Sequence, residues 1–132
     1  MIAGTGLDLV ELGRIARLVE RHADLSRVYG PQERRLLSGR RSCGSYAVNF
    51  CAKEAFAKAL GTGVRGFCLS EVQLLRGPAG EPYLHLTGGA RAIAEARELC
   101  FHVSVTHTRE YAAAVVIAEK GAVPCESSVA PR

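Results

Sequence analysis

The chain has no tryptophan and a single methionine in 132 residues, and its aromatic complement stops at four Tyr and four Phe. None of these rings is interleaved with the arginines, which weakens a nucleic-acid role, because single strands are held by stacking between basic groups. The five cysteines, Cys43, Cys51, Cys68, Cys100 and Cys125, are odd in number and form no C-x-x-C pair. Neither a disulfide framework nor a zinc site is indicated, and a reducing cytoplasm fits best. No apolar run approaches about 18 residues, and the opening MIAGTGLDLVEL carries Asp8 without a basic stretch, so no membrane span or signal peptide is expected. A phosphate-binding loop of the G-x-x-x-x-G-K-[ST] kind is missing as well. No serine or cysteine has the setting of a nucleophile, so in a transferase the attacking hydroxyl would belong to the acceptor.

What is present suits one domain. At 48% hydrophobic residues a chain of this length buries about two-thirds of its unfolded surface, and we expect a single domain over 1–120, with GAVPCESSVAPR (121–132) as a flexible tail. The net charge of +4 and a pI near 9.0 point to an anionic partner: nucleic acid, an acidic protein or a phosphorylated cofactor. Ile2 to Val10 reads as a strand, and LGRIARLVERHA as an amphipathic helix on the spacing of Leu12, Ile15, Leu18 and Val19. PQERRLLS is a short helical candidate, and 45–60 a longer one with a broad apolar face ended by Gly61. FCLSEVQLL and PYLHLTG flank the turn-rich RGPAGE as a hairpin. GARAIAEARELC then reads as a short helix, and FHVSVTHT with YAAAVVIAE as a second hairpin turning near Thr108 to Glu110. The class is α+β, an antiparallel sheet packed with helices.

Glu54 and Lys58 are four residues apart, so both project from one side of their helix. Glu54 can hold a hard cation while Lys58 meets a phosphate; the same spacing also describes an idle surface ion pair worth about 0.3–0.5 kcal/mol. Asp8, in an otherwise apolar strand, needs a partner. Either it joins Glu54 on Mg²⁺, which usually takes only one or two protein carboxylates, or it caps the first helix or pairs with an arginine. Glu11 follows just after. His107, in SVTHT, has the pKa range to touch a phosphate or assist proton transfer, and equally can satisfy a strand hydrogen bond. His22, His85 and His102 have no comparable setting. Gly61 and Gly63 admit close approach of a phosphate to the backbone, or Gly61 is a plain helix cap. Arg14, Arg17 and Arg21 make a basic stripe, either a solvated face or a docking edge for an acidic helix.

Three segments together, GTGLDLVELGRIARL (Gly4 to Leu18), FCAKEAFAKALGTG (Phe50 to Gly63) and HVSVTHTREYAAAVVI (His102 to Ile117), closely resemble the holo-acyl-carrier-protein synthase family of 4′-phosphopantetheinyl transferases. The G-x-D, K-E-A-x-x-K and T-H-T elements appear in the family's order. The resemblance implies an α+β, 4′-phosphopantetheinyl transferase-like fold that moves phosphopantetheine from coenzyme A to a serine of an acyl carrier protein and releases adenosine 3′,5′-bisphosphate. It implies Asp8 and Glu54 as Mg²⁺ ligands and Lys58 as the group that stabilises the transferred phosphate or protonates the leaving group. Gly61, Gly63 and the Thr106-His107-Thr108 element would lie around coenzyme A, with His107 on a phosphate. Arg14, Arg17 and Arg21 would meet the acidic carrier protein, Arg14 and Arg21 foremost. A cytoplasmic homotrimer with sites at subunit interfaces, serving fatty-acid or other carrier-dependent synthesis, is implied too, with neither nucleic acid nor membrane as partner.

One departure stands out. The family usually carries an arginine shortly before K-E-A, in a G-R-F or G-R-W context, where this chain reads Val48-Asn49-Phe50. Arg40, Arg41 or Arg65 are the candidates to replace that charge. The competing expectation is a non-catalytic basic module that binds acidic protein or nucleic acid without needing metal or coenzyme A.

Overall fold

A computed structural model describes residues 1–21, 24–39 and 43–121. The expected tail beyond Gly121, His22 and the charges at Arg40 and Arg41 lie outside the described residues. Strand β1 (Ile2–Glu11) runs into helix α1 (Leu12–Arg21), and helices α2 (Pro31–Ser38) and α3 (Cys43–Leu60) follow. The hairpin β2 (Val72–Arg76) and β3 (Pro82–Leu86) leads to helix α4 (Gly88–Ala96) and a last hairpin, β4 (Leu99–His107) and β5 (Tyr111–Lys120). This is the α+β class expected from the sequence.

Two boundaries moved, each for a local reason. The strand expected from Phe67 starts only at Val72, because Leu69–Glu71 closes a 3-10 turn in which the Glu71 carboxylate accepts from Cys68 N at 2.6 Å. The helix expected to reach Cys100 stops at Ala96, since Glu98 adopts φ 53° and turns the chain so that Leu99 and Cys100 enter β4.

The main sheet is antiparallel, in the order β1-β5-β4, and β2 pairs with β3 separately. Period-two alternation gives the main sheet one inner face, carrying Gly6, Val10, Phe101, Ala112, Ala114, Val116 and Ala118. Helix α3 lies on that face. Its Ala47, Cys51, Ala52, Ala55 and Phe56 are fully buried, and Phe56 packs edge-on to Phe67 and at a tilt against Phe101, with centroids 5.3 and 4.7 Å apart.

Two glycines fix how closely α3 sits. A Cβ on Gly6 would stand 1.8 Å from the Ala55 carbonyl oxygen, and one on Gly4 2.0 Å from that of Ala59. Helix backbone therefore rests directly on strand backbone, which no larger residue allows. At the far end of α3, Arg97 donates to the Leu60 carbonyl at 3.0 Å, satisfying one of the helix's terminal acceptors.

The other side of α3 is held by a buried polar knot. Lys53 and Glu33, both fully buried, form an ion pair, and the lysine also donates to the carbonyls of Leu69 and Val72. The Glu33 carboxylate accepts from Gly30 N, Leu74 N and Asn49 Nδ2 at 2.9 to 3.1 Å. Burial pushes Lys53 below its ordinary pKa, against the pull of Glu33. Such a pair costs desolvation but, once satisfied, fixes one helix register. Lys53 is thus occupied in joining α3 to α2 and β2.

Candidate active site

The close seat of α3 on β1 brings together residues some fifty positions apart in the chain. Asp8, two residues past Gly6 on the inner face of β1, meets α3 where Cys51, Glu54 and Lys58 project toward it. Lys58 Nζ donates to Asp8 Oδ1 at 3.2 Å and to the Leu7 carbonyl at 2.9 Å. The idle helix pair of Glu54 with Lys58 is not formed, because the lysine reaches across to the strand instead. Among the described residues Asp8 likewise neither caps α1 nor pairs with an arginine: the first α1 amide, Leu12 N, donates to Glu110 O in the β4–β5 turn at 2.8 Å. The second carboxylate oxygen, Asp8 Oδ2, is buried and has no hydrogen-bond partner.

The electrostatics show crowding of negative charge. Glu54 is half-buried, and its pKa is raised first by burial and then by the neighbouring Asp8, while Lys58 and Arg14 pull it down. Burial, with Asp8 next, also pushes the Cys51 thiol up to about 12. That thiol donates to Ala112 O at 3.3 Å and stays protonated, so it is no nucleophile. Two carboxylates against one half-exposed lysine, with one buried oxygen unsatisfied, form a site that can take a hard cation.

The remaining expected residues divide. Gly61 (φ 81°) is a helix cap, its N–H donating to Lys58 O at 3.0 Å, and Gly63 (φ 70°) follows; space is open above both. Arg14, Arg17 and Arg21 are all exposed on α1, and Arg14 alone acts on Glu54. Glu11 is exposed at the end of β1, opposite Tyr111. Thr106 and His107, being adjacent on β4, point to opposite faces. Thr108 holds the turn: its N–H donates to Tyr111 O at 2.7 Å, and its hydroxyl accepts from Tyr111 N and Glu110 N.

His107 is not brought to Asp8. Asp8 stands opposite Ala114 and His107 opposite Ala112, with β5 between them, a separation on the order of 12 Å. His107 instead lines a cavity of about 90 Å³ with Leu36, Ser45, Asn49 and Arg76 among its neighbours. Asn49, the position where the resemblance implies an arginine, also has a definite place. Asn49 is buried, bonded to Glu33 and to the Leu74 carbonyl, at the rim of that same cavity. Arg76, which arrives on β2, lines that cavity as well.

Comparison with known proteins gives a consistent picture. The family described as the 4′-phosphopantetheinyl transferase superfamily matches residues 4–116. A holo-[acyl-carrier-protein] synthase of Lachnoclostridium phytofermentans is 40% identical over 120 residues, covering 90% of this chain and 97% of that one. The crystal structure of holo-[acyl-carrier-protein] synthase from Neisseria meningitidis superposes with a TM-score of 0.85 at 30% identity, covering 91% of this chain and 100% of that chain. A holo-(acyl-carrier-protein) synthase structure from Bacillus anthracis, in complex with CoA (3′,5′-ADP), gives 0.78 at 29% identity, with coverage of 92% and 99%.

Proposed function

Because the chain belongs to the 4′-phosphopantetheinyl transferase superfamily, an enzyme family, we propose that it transfers the 4′-phosphopantetheine group of coenzyme A to a serine of an apo acyl carrier protein. In this reaction the serine Oγ forms a bond to the pantetheine-side phosphorus of the pyrophosphate, and the bridging P–O bond breaks. The serine proton is released, and adenosine 3′,5′-bisphosphate leaves.

The observation that carries the reading is the half-buried Asp8 carboxylate, with its buried oxygen unpartnered among the described residues beside Glu54 and the other oxygen on Lys58. Asp8 and Glu54 would hold Mg²⁺, whose contribution when bound is to neutralise charge on the pyrophosphate oxygens. Lys58 has two N–H groups committed, to Asp8 and Leu7, which leaves one for a phosphate oxygen or the leaving group. Gly61 and Gly63, with open space above them, admit the substrate close to the backbone. Arg14, beside Glu54, and Arg17 and Arg21, exposed on the same helix, would steer an acidic carrier.

The distance of His107 and its cavity from Asp8 within one chain supports a homotrimer in which a neighbour's Thr106-His107-Thr108 segment completes each site. The outer sheet face supports it as well: Leu7 and Leu9, each 65% exposed, stand opposite Val115 and Ala113 with no covering element among the described residues. Leu7→Glu with Leu9→Lys should then give a monomer by light scattering, with coenzyme A turnover lost. The reading includes a cytoplasmic enzyme of carrier-dependent synthesis such as fatty-acid biosynthesis, its activity carried by one domain over 1–120. The free thiols of Cys51 and Cys68 accord with that compartment.

Intact-mass measurement of an apo carrier protein incubated with coenzyme A and Mg²⁺ tests the function. A gain of one phosphopantetheine, abolished by chelation and by Glu54→Gln in a folded variant, is expected. Salt-sensitive association with the carrier and no mass gain would instead establish a binding module.

A further inference from the structure

On the sheet face opposite Asp8 lies a second cluster of chemistry-bearing side chains. Cys100 and Glu119 are direct cross-strand partners on β4 and β5, and His102 is two residues along β4 on the same side. His102 Nε2 stands 3.2 Å from Glu119 Oε1 and 4.0 Å from Cys100 Sγ, which in turn is 3.7 Å from Glu119 Oε1. One ligand atom from each residue falls within 4.8 Å of the others.

We propose that Cys100, His102 and Glu119 form a binding site for a borderline divalent cation of the zinc type. The site is separate from the Asp8–Glu54 cluster by the thickness of the sheet and by five residues of β5, about 17 Å along the strand.

Three arguments carry this. The first is spacing: ligands bonded to tetrahedral zinc at about 2.0–2.3 Å lie about 3.3–3.6 Å apart. The observed triangle needs its sulfur to move by no more than about half an ångström, within the rotation of a half-buried thiol. The second is donor chemistry: thiolate, imidazole and carboxylate are the nitrogen and sulfur-rich set that selects zinc and its neighbours, whereas Mg²⁺ demands oxygens in an octahedron. This cluster is therefore not a second seat for the metal of the transfer reaction. The third is readiness to ligate. The His102 imidazole and the Glu119 carboxylate already converge, Nε2 on Oε1 at 3.2 Å, so neither side chain has to swing in from solvent to ligate. Half-exposure of His102 and Glu119 provides an entry path and leaves a fourth position to water.

C-x-x-C is the spacing of zinc ligands on a turn, and this chain has none. On a strand the same-face spacing is two, so Cys100-Phe101-His102 is the matching pattern, and its third ligand is added by strand pairing seventeen residues later.

The test is a Co²⁺ titration of the reduced, metal-free full-length chain, followed by visible absorption and displacement with Zn²⁺. One equivalent with a thiolate-to-cobalt band and tetrahedral intensity is expected, with Mg²⁺ in excess failing to compete. Cys100→Ser should abolish the thiolate band while Cys68→Ser and Cys125→Ser keep it, and the exposed His102→Ala should weaken binding at least ten-fold. Absence of a tetrahedral spectrum, or full binding in either the Cys100→Ser or the His102→Ala variant, would overturn the site.

Discussion

Gly6→Ala isolates the contact that builds the proposed active site. The added methyl would start 1.8 Å from the Ala55 carbonyl oxygen and 2.8 Å from the Ala59 amide nitrogen, against an ordinary contact of 3.4 Å or more. Neither neighbour is a flexible side chain, so α3 must withdraw from β1 by about 1.6 Å at this point. Overpacking of this kind costs about 1–3 kcal/mol, offset by about 0.4–1 kcal/mol because alanine restricts the unfolded chain. The net fall in Tm for a domain of this size is about 3–10 °C. The effect on catalysis is larger in proportion. Glu54 and Lys58 move with the helix while Asp8 stays with the strand; with the roles proposed for them, a displacement near 1 Å costs about a hundred-fold in rate. The assay is kcat/KM for carrier-protein modification beside the thermal melt of the same preparation. Gly13→Ala is the internal control: it lies in α1 with only Arg17 Nη1 nearby, at 3.7 Å, and should keep activity and gain up to about 1 kcal/mol. A Gly6→Ala protein with unchanged kcat/KM would refute the claim that backbone contact between β1 and α3 sets the site.

Glu54 has a folded pKa raised above 4.5, chiefly by burial and then by Asp8, so the folded chain keeps a proton that the unfolded chain gives up. The stability this proton contributes is complete below the unfolded value and is lost as pH rises through the folded one. Metal-free wild type should therefore lose stability relative to Glu54→Gln on going up through that window, and a pH-independent difference in Tm would contradict the crowding of Asp8 and Glu54. Affinity for Mg²⁺, measured by calorimetry, should fall on acidification through the same window. Lys53→Met should cost about 3–5 kcal/mol in urea denaturation by leaving Glu33 buried without its cation; a loss under 1 kcal/mol would show that the polar knot is not structural. Arg14→Glu with Arg21→Glu should raise KM for the carrier at low salt with kcat held, and an unchanged KM would return the stripe to a solvated face.

The alternation of β1 and β5 and the 3.6-residue period of α1 were legible because each is a local pattern with one solution. So were the turn near Thr108 and the cap at Gly61. The K-E-A element was legible as a motif but not as geometry. Its lysine, Lys53, lies on the side of the helix that faces away from Asp8 and is consumed by Glu33, a residue the sequence offered only as a polar position on a short helix. Asn49, read as a lost coenzyme A contact, belongs to the same knot, and the cation beside the His107 cavity comes from Arg76 on another element. Cys100 and His102 carry no signal in the sequence, since their partner Glu119 joins only through strand pairing.

By itself the sequence determined the order and types of the main elements, the α+β class and the candidacy of Asp8, Glu54 and Lys58, because periodicity and motif are properties of neighbouring residues. Tertiary structure alone decided which of those side chains meet. Gly4 and Gly6 let α3 settle on β1, so Lys58 bonds Asp8 rather than Glu54, and β5 keeps His107 away from them. Contacts across fifty residues depend on how closely two backbones can pack, and that distance is set by the fold as a whole.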